Sequence, residues 1–129
     1  MAINILVVDD SATVRAVIAK TLSLTGVEIG TLYEATNGKE ALEVLAKNWI
    51  DLVFADLNMP VMTGVEMIDK MSADNMLKTI PVVIVSTDGS TTRIEELKAK
   101  GIRDFVRKPF TPEMIKKVLL DIVGGAHAK

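Results

Sequence analysis

The sequence has no cysteine, a single histidine and few aromatic residues. Without cysteine, the chain cannot form a disulfide framework, a thiolate metal site or a thiol nucleophile. The one histidine, His127, falls in a segment that we predict to be a loose tail, so we expect no histidine ligand or general base. No apolar run approaches the roughly 20 residues of a membrane-spanning helix, and residues 1–8 lack the basic segment of a signal peptide. We therefore expect a cytoplasmic protein with no membrane partner.

Positive charge is scarce in the first part of the chain. Residues 1–90 carry 6 basic and 12 acidic side chains, whereas residues 91–129 carry 9 basic and 5 acidic ones, and the whole chain has a net charge of −2. Solvated helix faces produce such a division in most proteins. The alternative is an acidic pocket built by the first part and a basic docking face in the last part.

Short, uncharged apolar runs alternate with helical patterns. Ile3–Val8, Leu52–Ala55 and Val82–Val85 are typical of strands that are buried on both faces of a sheet. Val27–Glu34 and Phe105-Val106 are weaker strand candidates. Between and after these runs, apolar residues at helical spacing follow polar residues that we predict to be N-caps, among them Ser11, Asn37 and Thr111. Five strands alternating with five helices predict an α/β fold: a single doubly wound, five-stranded parallel sheet with helices on both faces.

The 129 residues suit one domain with its own core. We place this domain at residues 1–123. Its last helix is predicted to follow Thr111, with Pro112 at the first helical position. Gly124-Gly125 are expected to end that helix, which leaves residues 124–129 as a short loose C-terminal tail.

The stretch Ile50–Pro60 organises the rest of the sequence. Its apolar run ends abruptly in Asp56, and the turn-forming residues Asn58, Pro60 and Gly64 follow. Ligands bind at the edge of an open α/β sheet where the carboxyl ends of parallel strands meet. A carboxylate directly behind a buried strand is costly without partners, so we expect other strand ends to supply them.

Four predicted strand ends carry polar groups to this edge. They are Asp9-Asp10, Asp56, Ser86-Thr87 and Lys108. Two carboxylates about 4 Å apart repel by on the order of 4 kcal/mol at an effective dielectric constant near 20. Lys108 offsets part of this charge, and the oxygen ligands favour Mg²⁺ or Mn²⁺ as a cofactor. A carboxylate nucleophile, a metal, a hydroxyl and a lysine are typical of phosphoryl transfer; the alternative is a surface acidic cluster without chemistry.

These motifs resemble the receiver domains of response regulators, most of all the stand-alone chemotaxis regulators. The resemblance covers nearly the whole chain and implies the flavodoxin-like strand order 2-1-3-4-5. It is carried by Leu6-Val7-Val8-Asp9-Asp10-Ser11, Asp56-Leu57-Asn58-Met59-Pro60 with Gly64, Val85-Ser86-Thr87, and Lys108-Pro109-Phe110.

The resemblance also implies a role for each residue of the site. Asp56 matches the residue that accepts the phosphoryl group. Asp10 matches a direct metal ligand, Asp9 an acid that acts largely through water, and Asn58 the position whose backbone carbonyl binds the metal. Lys108 matches the lysine that pairs with the phosphoryl group.

Two further residues match the switch of the family. Ser86 matches the hydroxyl that moves to the phosphoryl oxygen, and Phe105 matches the aromatic residue that rotates inward with it. The Lys108-Pro109 bond is expected to be cis. Three residues depart from the pattern of the family. Ser86 lacks the methyl group of threonine, Phe105 lacks a tyrosine hydroxyl, and Thr87 is bulkier than the alanine often found there. These departures affect the expected strength of the switch and not its chemistry.

The implied function is a phosphorylation-dependent switch in two-component signalling. The domain is expected to catalyse its own metal-dependent phosphoryl acceptance and autodephosphorylation. We expect no enzyme activity on a separate substrate. A sensor histidine kinase or its phosphotransfer domain is the expected donor. An output protein, with the flagellar motor switch as candidate, is expected to bind the face formed by Thr91–Lys100, Phe105 and Thr111–Val123. We expect a monomer that binds no nucleic acid.

Two alternatives compete with this function. A flavodoxin-like small-molecule binder would need a Ser/Thr/Gly-rich loop after the first strand to hold a phosphate with backbone N–H groups, and Asp9-Asp10 would repel such an anion. A receiver taken from a longer regulator is the other alternative, although the sequence has no room for a helix-turn-helix output.

Overall fold

The computed structural model describes residues 2–87 and 90–127, with the side chains of residues 124–127 left aside. Strands and helices alternate as predicted. The strands are β1 (Ile3–Val8), β2 (Ile29–Ala35), β3 (Leu52–Ala55), β4 (Val82–Ser86) and β5 (Asp104–Arg107). The helices are α1 (Ala12–Ser23), α2 (Gly38–Lys47), α3 (Gly64–Ser72), α4 (Thr91–Ala99) and α5 (Pro112–His127), with a 3-10 turn at Leu77–Thr79.

The five strands form one parallel sheet in the order β2-β1-β3-β4-β5. This confirms the predicted fold class and strand order. β3 lies at the centre, and each of its four residues is buried, which explains its uninterrupted apolar sequence. The chain therefore brings the carboxyl ends of β1, β3, β4 and β5 to one edge of the sheet.

Successive strand residues face two separate cores, because side chains alternate across a strand. One core packs Leu6, Val53 and Ile84 of the sheet against α2, α3 and α4. The other packs Val7, Phe54 and other sheet residues against α1 and α5. The sheet is thus covered on both faces, as a parallel sheet requires.

Polar caps start the helices where the sequence predicts them. The side chain of Ser11 accepts a hydrogen bond from the Val14 N–H, and that of Asn37 accepts one from Glu40. Thr63 forms a capping box with Glu66 at the start of α3. Each cap satisfies a backbone donor that the first helical turn leaves unpaired.

One boundary differs from the prediction. Gly124-Gly125 do not end α5, which continues to His127. Glycine costs a helix interior about 1 kcal/mol relative to alanine, but it does not prevent helical backbone angles, so it is a weak stop signal. Residues 128 and 129 lie outside the described part of the chain, and the division into residues 1–123 and 124–129 stays a prediction. Among the described helices, none combines the length and apolarity needed to cross a bilayer.

The backbone of the loop between β3 and α3 packs closely against the residues that follow β3. The N–H of Gly64 donates to the Leu57 carbonyl at 2.9 Å, and the N–H of Met62 donates to the Pro60 carbonyl at 2.6 Å across Val61. Val61 has φ of 66°, an unfavourable value for a β-branched residue. A Cβ atom on Gly64 would overlap the Asp56 carbonyl oxygen and come within 3.0 Å of the Leu57 Cα.

We predict that Gly64→Ala destabilises the protein far more than Gly26→Ala. The new methyl group at residue 64 meets rigid backbone, and such overpacking costs about 2–3 kcal/mol. Gly26 has φ of +85° but no atom within 4 Å of an added Cβ, so its substitution should cost only about 1 kcal/mol of backbone strain. Urea unfolding measures both free energies. Equal losses for the two variants would show that the close approach at Gly64 is unimportant.

Candidate functional site

Three carboxylates converge at the carboxyl edge of the sheet. Asp9 and Asp10 follow β1, and Asp56 follows β3, its direct neighbour. Asp9 is 2% exposed and Asp56 8%, whereas Asp10 is open to solvent. Each residue offers a carboxylate oxygen within 4.8 Å of the other two. The predicted acidic cluster is therefore formed, with two buried members and one exposed member.

Lys108 forms ion pairs with both buried carboxylates. Its Nζ lies 3.0 Å from Oδ2 of Asp9 and 3.2 Å from Oδ2 of Asp56. The lysine follows β5, and its backbone N–H donates to the Ser86 carbonyl at 2.9 Å. The Lys108-Pro109 bond is cis, as the resemblance implies. The side chain thus reaches across the end of β4 to join residues from β1 and β3.

Two opposed effects set the charge of Lys108. Burial alone would lower the pKa of its ammonium group, but hydrogen bonds and ion pairs with Asp9 and Asp56 outweigh burial and raise this pKa above the usual lysine value. The resulting stabilisation is complete below the unfolded lysine pKa of about 10.4. It is lost as pH rises through the still higher folded pKa, so the ion pairs persist throughout the neutral range.

Backbone donors hold the second oxygen of each buried carboxylate. Oδ1 of Asp9 accepts from the Ser11 N–H at 2.9 Å. Oδ1 of Asp56 accepts from the Leu57 N–H at 2.7 Å and from the Asn58 N–H at 3.4 Å. In the described part of the chain, Asp10 has neither an ion pair nor a side-chain hydrogen bond. Its carboxylate is therefore the one most available for a ligand.

The two predicted switch residues lie on the neighbouring strands β4 and β5. Ser86 ends β4 and is fully buried. Phe105 lies in β5 opposite Ile84 of β4, and its half-buried ring packs against the core on the α2, α3 and α4 face. Asn58 is exposed in the loop after Asp56. Ser86 and Asn58 thus lie at or next to the sheet edge that holds the acidic cluster, whereas Phe105 lies inside β5, before the end of that strand.

Sequence reasoning missed one contact of the site. Arg15 is 15% exposed, and its Nη1 donates to the Asp9 backbone carbonyl at 2.6 Å. Its Nε donates to Oε1 of Glu34, on β2, at 2.9 Å. Arg15 lies near the start of α1, where the helix dipole disfavours a cation and no acidic residue occupies the first turn. A cation at such a position needs a partner, and that is the signal which could have identified it.

The donor set fits a hard divalent cation. All three clustered side chains offer oxygen ligands, which Mg²⁺ and Mn²⁺ prefer over nitrogen or sulphur. Lys108 supplies one positive charge against three negative ones, so a dication would bring the cluster to balance. The arrangement combines an anchored carboxylate with a lysine and a metal-binding group, which are the parts needed to accept a phosphoryl group.

Comparison with known proteins agrees with this geometry. Residues 5–120 match the response regulator receiver domain. The chemotaxis protein CheY1 of Helicobacter pylori strain J99 is 38% identical over 122 residues, which cover 94% of this chain and 97% of that protein. A chemotaxis CheY homologue of Campylobacter jejuni is 35% identical over 122 residues, covering 94% and 92% of the two chains.

A solved structure shows the same similarity in three dimensions. The chemotaxis response regulator CheY4 of Vibrio cholerae is 34% identical and has a TM-score of 0.83, with 95% of this chain and 99% of that chain covered. The sequence and structural matches extend over nearly the full length, so they leave no support for a flavodoxin-like small-molecule binder. This chain belongs to the response regulator receiver domain family of two-component signalling, with CheY chemotaxis proteins among its relatives.

Proposed function

We propose that the protein is a phosphorylation switch in which Asp56 accepts a phosphoryl group from a phosphohistidine and later loses it to water. One observation carries this proposal. Asp56 directly follows the central strand, its Oδ1 accepts hydrogen bonds from backbone N–H groups, and its Oδ2 contacts Lys108 beside two further carboxylates. A nucleophile in this position is held in place before its substrate arrives.

Phosphoryl acceptance requires only one new bond at Asp56. A carboxylate oxygen of Asp56 attacks phosphorus as the phosphorus–nitrogen bond of the donor breaks, and the released histidine nitrogen takes up a proton. Oδ2 is the better candidate because Oδ1 accepts from two backbone N–H groups, whereas Oδ2 has only the Lys108 ammonium, which the incoming phosphoryl group also attracts. In the reverse half of the cycle, water attacks phosphorus, inorganic phosphate leaves and the Asp56 carboxylate is restored.

Asp9, Asp10, Asp56 and the backbone carbonyl of Asn58 would hold Mg²⁺ or Mn²⁺. When bound, the metal supplies positive charge that stabilises the developing charge on the phosphoryl oxygens. Asp10 suits direct ligation because it is exposed and its side chain has no hydrogen bond or ion pair in the described chain. Asp9 suits a role through water, since Lys108 and the Ser11 N–H already engage its two oxygens.

Lys108 and Ser86 would convert the new phosphate into a change of shape. A phosphoryl group carries a charge of roughly −2, so it competes with Asp9 for the Lys108 ammonium. The Ser86 hydroxyl would turn towards the phosphoryl oxygen and vacate space that the Phe105 ring enters. The half-buried ring of Phe105 would then become fully buried in the phosphorylated state.

The output surface is proposed to be the face built by α4, β5 and α5. Phe105 lies within it, and the last part of the chain carries the positive excess of 9 basic against 5 acidic side chains. The partner would therefore present an acidic, partly apolar segment. Relatives named as chemotaxis proteins support a chemotaxis pathway. Within that pathway we propose a sensor histidine kinase or its phosphotransfer domain as donor, the flagellar motor switch as candidate target, and a monomeric protein.

Asp56 alone should take the phosphoryl group. Intact mass after incubation with acetyl phosphate and Mg²⁺ is expected to show one added phosphate in the wild-type protein and none in Asp56→Asn. Asp121→Asn is the matched control, because Asp121 is an exposed aspartate on α5 and its loss should leave phosphorylation intact. A phosphate that persists in Asp56→Asn would show that the acceptor has been assigned to the wrong residue.

Asp10 should contribute more to metal affinity than Asp9. Asp9→Asn removes an acid that acts through water and should weaken Mg²⁺ binding about tenfold, whereas Asp10→Asn removes a direct ligand and should weaken it by about a hundredfold or more. Calorimetric titration measures both affinities. The metal should also raise the melting temperature of the wild-type protein by mass action. Equal affinities of the two variants would contradict the assigned roles.

Lys108 should matter more for switching than for acceptance. With 4-fluorophenylalanine in place of the 3 phenylalanines, the fluorine NMR signal of Phe105, assigned through Phe105→Leu, should shift on phosphorylation. The signal of fully buried Phe54 should shift less. Lys108→Ala should still gain phosphate in the presence of Mg²⁺ but lose the Phe105 shift, whereas Lys98→Ala, an exposed change on α4, should keep it. A normal shift in Lys108→Ala would refute this role.

A further inference from the structure

We infer that Arg15 is a positioning residue for the metal site, and this inference rests on the metal binding proposed above. Arg15 does not belong to the acidic cluster. It fixes the peptide group that joins Asp9 to Asp10 by donating from Nη1 to the Asp9 carbonyl at 2.6 Å. Arg15 thereby holds the backbone between one carboxylate that acts through water and one that binds the metal directly.

The contact replaces a sheet hydrogen bond at the point where β1 ends. The N–H of Asp9 still donates to the Ala35 carbonyl of β2 at 3.1 Å. The carbonyl of Asp9 faces the same neighbour, because a parallel strand directs both groups of one residue to one side. No further β2 residue pairs with this carbonyl, since β2 ends at Ala35. Arg15 takes the place of that missing partner.

Arg15 is itself held at both ends of its guanidinium group. Nε donates to Oε1 of Glu34 at 2.9 Å, and the side chain of Arg15 is 15% exposed while that of Glu34 is 50% exposed. The backbone N–H of Arg15 donates to the carbonyl of Ser11, the N-cap of α1. Two contacts from one planar group define its orientation, which a lysine ammonium cannot reproduce. The carbonyl of Asp9 is therefore restrained from α1 and β2 at once.

The position of Asp10 depends on this restraint more than that of any other member of the cluster. Asp9 has both carboxylate oxygens engaged, and Asp56 has its own contacts to Lys108 and backbone N–H groups. In the described chain, the Asp10 side chain has no hydrogen bond or ion pair, so the backbone is the main restraint on where its carboxylate lies. Rotation of the peptide group between Asp9 and Asp10 would carry the Asp10 carboxylate away from Asp9 and Asp56.

Positioning and simple electrostatics predict opposite effects on metal affinity. If Arg15 acted only as a nearby positive charge, its removal would lessen repulsion of a cation and strengthen Mg²⁺ binding. If Arg15 positions Asp9 and Asp10, its removal should weaken Mg²⁺ binding despite the more negative site. Partners that orient metal ligands contribute about 10- to 100-fold to affinity. The sign of the change therefore decides between the two roles.

The test is calorimetric titration of Mg²⁺ into the full chain. Arg15→Gln should bind Mg²⁺ about tenfold more weakly than the wild-type protein. Arg15→Lys keeps the charge but not the pair of contacts, and it should also lose affinity. Lys20→Gln removes the same charge from an exposed position of α1 and should bind Mg²⁺ as tightly as wild type or slightly tighter. Calorimetry is preferred to tryptophan fluorescence as the measure of metal binding. The only tryptophan, Trp49, lies beside the start of β3, at the opposite edge of the sheet from the site.

Three results would overturn the inference. Unchanged or tighter Mg²⁺ binding by Arg15→Gln would show that Arg15 acts on the metal only as a nearby positive charge. A lower melting temperature without Mg²⁺, combined with unchanged affinity, would show that Arg15 stabilises the fold only. Failure of the wild-type protein to bind Mg²⁺ would remove the metal site and this inference with it. The first result, combined with weak Mg²⁺ binding by Asp10→Asn, would leave the metal site in place and refute only the role of Arg15.

Discussion

The ion pairs of Lys108 are the constraint on which the rest of the structure depends. Two buried carboxylates whose oxygens lie within 4.8 Å would repel by roughly 3 kcal/mol at an effective dielectric constant of 20. One ammonium group lies within 3.2 Å of both. Removing it would leave the two buried carboxylates with backbone N–H partners only, which lowers the stability of the fold. The ends of β1, β3 and β5 are thus held together by charge as well as by strand pairing.

The sheet order makes this balance possible. β1 and β3 are neighbours, so Asp9 and Asp56 arrive side by side, and β5 is separated from β3 only by β4. A lysine after β5 must therefore reach across the end of β4, where its backbone N–H bonds to the Ser86 carbonyl. Ser86 is consequently close to any group that displaces the lysine. The topology therefore joins the lysine that carries the charge to the backbone of Ser86, the residue that ends β4.

Much of this arrangement could be predicted from particular residues. The apolar run of β3 identified the centre of the sheet, and the polar residue after each buried strand identified the site edge, because parallel strands end at the same side. The caps Ser11 and Asn37 located helix starts because few residues satisfy exposed backbone donors as well. The prediction that Gly124-Gly125 end the last helix was wrong, because glycine lowers the stability of a helix without preventing it.

Other features could not have been predicted because they depend on contacts between distant parts of the chain. The difference in burial between Asp9 and Asp10 follows from the pairing of β1 with β2 and β3, and adjacent identical residues cannot reveal it in one sequence. The contact of Arg15 with Asp9 and Glu34 joins α1 to β1 and β2. The positive φ of Val61 has no sequence signal at all, since valine is unfavourable there.

The two sides of the site differ in how firmly their contacts are built. On the β2 side, Arg15 has two contacts, and the Asp9 backbone is bonded through its N–H and its carbonyl. On the β5 side, Lys108 has one ammonium group shared by two acceptors, and Phe105 is only half-buried. A new negative charge on Asp56 changes the balance of Lys108 but breaks no contact of Arg15. In the proposed switch, the β2 side therefore keeps the metal ligands in place while the β5 side changes, and this difference directs the signal towards α4, β5 and α5.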